Sequence, residues 1–189
     1  FFDQATIDRS KQILQVQGFT SRKYIYLNLG ASAEKKRWMV KRFSELASRI
    51  LKKTPWNVML GGGGPDDHKR SLAILSQLNS PRVSTDCNQS LMESASIISQ
   101  ARLMVTTDTG PMHIGFAVRT PVVGLFGTFS PMSTGPYEIP DHLCRVITIK
   151  QEEQISSDEE KLGESHFRHV SVDRVWGQVE KMLADKSST

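Results

Sequence analysis

The strongest constraint on this chain is a recurring unit. A run of three to six mostly apolar residues ends in glycines or hydroxyls, and a helix-length stretch follows. Residues 24–29 (Tyr-Ile-Tyr-Leu-Asn-Leu) close on Gly30, residues 58–60 run into four glycines at 61–64, and residues 103–105 run into Thr106 and Thr107. Residues 122–126 close on Gly127, and residues 145–149 form the last such run. Between them, residues 38–51 carry Trp38, Phe43, Leu46, Ala47, Ile50 and Leu51 at helical spacing. Pro65 suits the first turn of a second helix, and Ser90 with Glu93 three residues on forms a capping box for a third. Val83 sits in a short extended piece, and Val175, Trp176, Val179, Met182 and Leu183 give a closing helix its inward face. Short apolar strands alternating with helices predict an α/β fold, a parallel sheet covered on both faces.

A chain of 189 residues is long enough to bury a full core without staples. Two cysteines, Cys87 and Cys144, build no disulfide framework and suit a reducing compartment, so the expected location is cytoplasmic. No apolar run reaches the ~20 residues of a spanning helix. The net charge of +4 is unevenly spread: residues 1–53 hold 12 Lys and Arg against 4 Asp and Glu, while residues 151–164 are acidic. A basic half fits nucleic acid, an anionic small molecule or a membrane surface, and equally a solvated helix face. Aromatics at 7%, not interleaved with the basic stretches, argue against a stacking platform for nucleic acid, so no nucleic-acid partner is expected.

In an open parallel sheet, ligands bind beyond the carboxyl ends of the strands. Four turns there stand out: residues 30–32, 61–67, 106–113 and 127–130, all rich in glycine or hydroxyls, as a phosphate site built from backbone N–H groups requires. The glycines at 61–64 lack the Gly-Lys-Ser/Thr ending of a P-loop, and Asp66 or Asp67 occupies the third glycine position of a dinucleotide fingerprint. Those two aspartates either accept from a ribose or favour the start of their helix. In Lys35-Lys36-Arg37-Trp38 a lysine can meet a diphosphate as a point charge, or all three cations are simply solvated. The most specific segment is Asp108-Thr109-Gly110-Pro111-Met112-His113. Gly110 allows close backbone approach, Pro111 opens a helix, Thr109 offers a hydroxyl, and Asp108 either meets ligand or caps the helix. His113, near the start of that helix, donates to a phosphate when protonated or holds the loop when neutral.

Leu29-Gly30-Ala31-Ser32, Lys36-Arg37-Trp38, Ser90-Leu91-Met92-Glu93, the Asp108 to His113 segment with Thr107 before it, Phe126-Gly127 and Gly135-Pro136 together resemble the C-terminal half of a family 9 glycosyltransferase. These are the ADP-heptose:lipopolysaccharide heptosyltransferases and their relatives. The resemblance is collinear over residues 24–136 and implies one Rossmann-like half of a GT-B enzyme, with the active site in the cleft between two halves. It implies residues 1–23 as a helical connector and 24–189 as the nucleotide-sugar-binding domain. Ser32 and Lys36 would touch the diphosphate, with Thr109 and Gly110 offering a hydroxyl and amides to the same group. Pro111, Met112 and His113 would stand in the same helix start, Asp108 would contact the donor sugar, and Asp66 or Asp67 would take the ribose position. Ala31 replaces the first member of the hydroxyl pair the family has before the lysine, which removes one phosphate contact.

The resemblance also implies an inverting transfer without metal or other cofactor, from a nucleotide-diphosphate sugar (ADP-heptose) to a lipopolysaccharide core acceptor. The family's general base and acceptor site belong to an N-terminal domain with no counterpart in this sequence. The chain alone is therefore expected to bind nucleotide without turnover, and the basic face to hold the enzyme near anionic inner-membrane lipid. His166 and His169 are the closest histidine pair and lack a cysteine nearby, so no metal site is expected there. The competing class is a non-catalytic nucleotide- or nucleic-acid-binding module.

Overall fold

The computed structural model describes residues 2–86, 89–127, 131–135, 138–149 and 165–185. Six parallel strands lie in the order β3-β2-β1-β4-β5-β6. They are β1 Tyr24–Asn28, β2 Asn57–Gly61, β3 Val83–Thr85, β4 Leu103–Thr107, β5 Val122–Phe126 and β6 Cys144–Thr148. The helices are α1 Gln4–Val16, α2 Val40–Lys53, α3 Pro65–Leu78, α4 Leu91–Ser99, α5 Gly110–Ala117, the short α6 Pro131–Thr134 and α7 Val172–Ala184, with a 3₁₀ turn at Glu34–Lys36. Strand order reverses between β1 and β4. The chain runs from β1 outward to β3, then returns to the other side of β1, which opens a crevice at their carboxyl ends.

The central strands β1, β4 and β5 are buried on both faces, so their apolar runs are continuous and alternate between two cores, while the edge strand β6 exposes Val146 and Thr148. Ile25, Leu27, Val58, Leu60, Leu103, Val105, Val123 and Leu125 join α2, α3 and α7 in one core. Tyr24, Tyr26, Met59, Met104, Val122 and Phe126 join α1, α4 and α5 in the other. The predicted connector at the amino end is α1. It packs on α4 through Ile13, Leu14 and a buried hydrogen bond between the Ser10 and Ser96 hydroxyls at 2.8 Å.

The capping box forms as read: Ser90 accepts from the Glu93 amide and Glu93 from the Ser90 amide. Residues 151–164, the acidic stretch, and Cys87 lie outside the described residues. In the segment that leads into α7, Phe167 and Val170 enter the core. The Trp38 indole donates to the Val170 carbonyl at 2.9 Å, and Arg42 donates to the carbonyls of Phe167, Arg168 and Val170. These bonds pin the segment before α7 to the start of α2, next to the loop after β1.

Gly61 ends β2 against the Tyr26 side chain. A Cβ there would lie 1.8 Å from the Tyr26 hydroxyl, which is buried and cannot swing away, whereas a Cβ on Gly63 meets nothing within 4 Å. Gly61→Ala is therefore expected to lower unfolding stability by about 1–3 kcal/mol through overpacking. Gly63→Ala should leave the urea midpoint within error, so a series of urea melts on the two variants checks the contrast.

Candidate functional site

Asn28, the last residue of β1, sits at the switch point and is buried. Its amide donates to the Gly30 carbonyl at 3.1 Å, the Thr106 hydroxyl at 2.9 Å and the Thr109 hydroxyl at 3.2 Å. One side chain thus ties the loop after β1 to the loop after β4. The strand pattern hid it, because a buried asparagine in an apolar run looks like any interior position until its partners 78 and 81 residues away are known.

A second tie brings in the glycine turn. Arg37, its side chain 15% exposed, pairs with Asp67, whose side chain is 7% exposed. Arg37 also donates to the Leu29 carbonyl at 3.2 Å and the Ala31 carbonyl at 3.0 Å. Asp67 in turn accepts the Gly64 amide at 3.1 Å, closing the turn onto the first turn of α3. A Cβ on Gly62 would strike the Asp67 side chain at 2.5 Å, so the glycine there is needed for this close approach. Of the two aspartates considered for the ribose position, Asp67 is committed to this clamp. Asp66 stands exposed on α3, 3.5 Å from the Lys69 ammonium. Arg37 is likewise a structural cation and not a solvated one.

Ser32 is exposed and Lys36 half-buried in the 3₁₀ turn after β1. Thr109 is the residue before α5. Its hydroxyl donates to the Thr107 carbonyl at 3.2 Å and makes no cap bond to the helix. Asp108 is held by its amide, which donates to the Leu125 carbonyl at 3.0 Å. Gly110 and His113 are exposed, His113 resting edge-on against Phe116. Met112 departs from the expectation: it is 0% exposed and packs in the second core, its sulfur facing Gly124, so its side chain anchors α5 to the sheet. The fourth expected turn continues through residues 128–130, and Pro136 follows Gly135; both lie outside the described residues.

Beside these loops lies a cleft of about 670 Å³. Gly62, Gly63 and Gly64 form one wall with Pro65, His68 and Lys69 of α3. Leu91, Ser94 and Ile98 of α4 face them, Pro111 and Ile114 come from α5, and Tyr26 and Asn28 come from β1. Of the expected site residues, Pro111 lines it. The cleft has the size and mixed apolar and polar lining of a small-molecule site. Sequence reasoning missed its α4 wall, since Leu91, 70% exposed, looks in sequence like part of a capped amphipathic helix. Among the described residues no three His, Cys, Asp or Glu side chains cluster as metal ligands.

The reversed strand order, the switch-point crevice and the helices on both faces define a doubly wound, Rossmann-like α/β domain of the kind that forms one half of a GT-B glycosyltransferase. Residues 2–163 match the model of glycosyltransferase family 9 (heptosyltransferase), and the chain belongs to that family. It is 25% identical over 173 residues to the lipopolysaccharide core heptosyltransferase OpsX of Haemophilus influenzae, covering 86% of this chain and 49% of the relative. Its fold superposes with a TM-score of 0.77 on a family 9 glycosyl transferase from Veillonella parvula, at 23% identity over 97% of this chain and 52% of that one. The E. coli ADP-heptose lipopolysaccharide heptosyltransferase II gives 0.74, at 24% identity over the same 97% and 52%. The chain spans about half the length of these relatives.

The Arg37–Asp67 clamp makes a direct test of the site's construction. Arg37→Ala removes the closer of the two arginines beside the Asp67 carboxylate, leaving Arg70 at 3.5 Å, and is expected to cost about 1.5–3 kcal/mol. Hydrogen exchange at the amides of residues 62–64 should accelerate more than exchange in the α7 amides, because Arg37 holds the turn locally.

Proposed function

We propose that this chain is the donor-binding half of an inverting heptosyltransferase that acts on a lipopolysaccharide core acceptor. The observation that carries the reading is the convergence of three strand-end loops, tied by Asn28, Arg37 and Asp67, around one cleft beside the start of α5. Family membership supports the transferase class, and the relative named for ADP-heptose supports that donor.

In this reading the cleft between the glycine turn and α4 takes the nucleoside, with Asp66 at the turn's edge for the ribose. The diphosphate lies across the loops after β1 and β4. Ser32 donates a hydroxyl there and Lys36 a point charge, while Thr109 and the amide of Gly110 meet it at the positive end of α5. His113 follows on the first turn, and Asp108 reaches the sugar. During transfer the bond between the anomeric carbon and the diphosphate oxygen breaks as the acceptor hydroxyl bonds to the opposite face of that carbon. The departing diphosphate gains negative charge, which Lys36 and the α5 amides stabilise in the manner of an oxyanion site, without a metal. The acceptor and the general base that takes its proton come from a second Rossmann-like domain. No helix of the described residues is long and apolar enough to cross a membrane. The reading places the enzyme in the cytoplasm, its cation-rich amino-terminal part drawn to anionic lipid.

Thermal melts with ADP, UDP and NAD test the donor: ADP is expected to raise the melting temperature and the other two to leave it within error. Lys36→Ala should weaken ADP about tenfold, the size of one charge-assisted contact, while Lys53→Ala at the far end of α2 should not change it. Equal loss in both variants would assign the effect to general charge.

A further inference from the structure

Beneath the cleft lies a buried acid that the donor reading leaves unused. Asp86 directly follows β3 and is 1% exposed. Its Oδ2 accepts the Tyr26 hydroxyl at 2.8 Å, and the Ser94 hydroxyl also favours its charged form. Its Oδ1 is buried without a full hydrogen bond. Its backbone is fixed, the amide donating to the Leu60 carbonyl at 3.0 Å and the carbonyl accepting the Gln89 amide at 3.1 Å. Tyr26, Ser94 and Gln89 all line the cleft, so the carboxyl's side-chain partners stand between it and any occupant. A buried carboxyl with an unused oxygen is costly for stability alone and calls for an explanation.

We propose that Asp86 is a positioning residue for recognition of the nucleobase. As a carboxylate it draws the hydroxyl protons of Tyr26 and Ser94 inward, so that both oxygens offer acceptor character to the cleft and favour a base presenting an exocyclic amino group. The inference rests on the nucleotide reading of the cleft. A protonated Asp86 donates instead to one hydroxyl, which frees that hydroxyl's own proton to point toward the cleft and suits a base with a carbonyl at the same position.

Burial lifts the Asp86 carboxyl to about 7, with the Tyr26 and Ser94 hydrogen bonds pulling the other way. Around it, β1 contributes Tyr24 and Tyr26, and Arg22 before β1 acts on Tyr24. From α3, His68 and Lys69 line the cleft, and on α4 Glu93 is turned to Arg9 of α1 at 3.4 Å. A ligand that prefers the carboxylate lowers the carboxyl's pKa on binding and releases a proton. Its affinity therefore rises as pH increases through 7.

Isothermal titration of the whole chain with ADP and with inosine diphosphate, which replaces the 6-amino group by a carbonyl, tests this at pH 6, 7 and 8. The phosphates ionise alike in the two ligands, and so cancel from their ratio. ADP is expected to be favoured about tenfold at pH 8 and less than threefold at pH 6. Asp86→Asn, which removes the charge and its titration, should hold the ratio below threefold at every pH. An unchanged ratio and pH profile in a folded Asp86→Asn protein overturns the proposal while leaving the nucleotide reading intact. If the wild-type chain binds neither nucleotide nor pyrophosphate, that reading falls and takes this one with it. Should Asp86→Asn fail to fold, Ser94→Ala carries the same test: a reduced ratio at pH 8 supports the proposal and an unaltered one overturns it.

Discussion

The site depends on one ion pair that touches no strand. Arg37 and Asp67 come from opposite sides of the β1–β2 edge, and between them they hold the Leu29 and Ala31 carbonyls and the Gly64 amide. The Glu34–Arg70 pair at 2.8 Å and the Leu29 amide on the Gly61 carbonyl at 2.8 Å join the same two segments. The Arg37–Asp67 pair completes a network that spares the loop after β1 and the glycine turn after β2 much of their ordering entropy when a ligand arrives. With it, both are fixed before binding, and the glycines at 62 and 64 become a wall of exposed backbone rather than a hinge. A buried pair of this kind gains little net stability but fixes one arrangement, and here Glu34 on Arg37 at 2.9 Å and Arg70 on Asp67 at 3.5 Å extend it into a network of four charges.

Asn28 does the corresponding work across the switch point. A parallel sheet opens there because the chain leaves β1 in opposite directions, so β1 and β4 loops diverge unless something joins them. An asparagine amide has two N–H donors, so reaching the Gly30 carbonyl and two threonine hydroxyls leaves one N–H shared between two acceptors, and burial strengthens these bonds by excluding water. The crevice is thus open to a ligand and closed to collapse.

The fold was legible because strand burial, turn chemistry and caps are local. Runs such as residues 122–126, Pro65 at the start of α3 and the Ser90–Glu93 box each declare their role within a few residues. The loops that form the candidate site were legible too, since glycine and hydroxyl clusters after strands have few other uses. Individual roles were less so. Arg37 belongs to a basic run that reads as solvated, and only a partner 30 residues on makes it structural. Met112 sits inside the most specific motif, yet helical geometry turns it to the sheet while its neighbours Gly110 and His113 face out. Asp86 gave no signal at all, because its meaning lies in Tyr26, 60 positions earlier.

These assignments also sort the cations around the site by chemistry. Arg37 and Arg42 turn their forked donors onto loop carbonyls and a carboxylate, where several fixed acceptors must be met at once. Arg82 does the same at the far end of the sheet, meeting the carbonyls of Leu51, Thr54 and Trp56. Lys36 and Lys69 instead stand half-buried or exposed on the loop after β1 and on α3. A lysine there needs no fixed fork and can follow a phosphate that changes charge and position during a reaction. Within the basic surplus of the first 53 residues, Arg37 and Arg42 are therefore cations that the fold itself consumes, and their charge is not spare for a ligand.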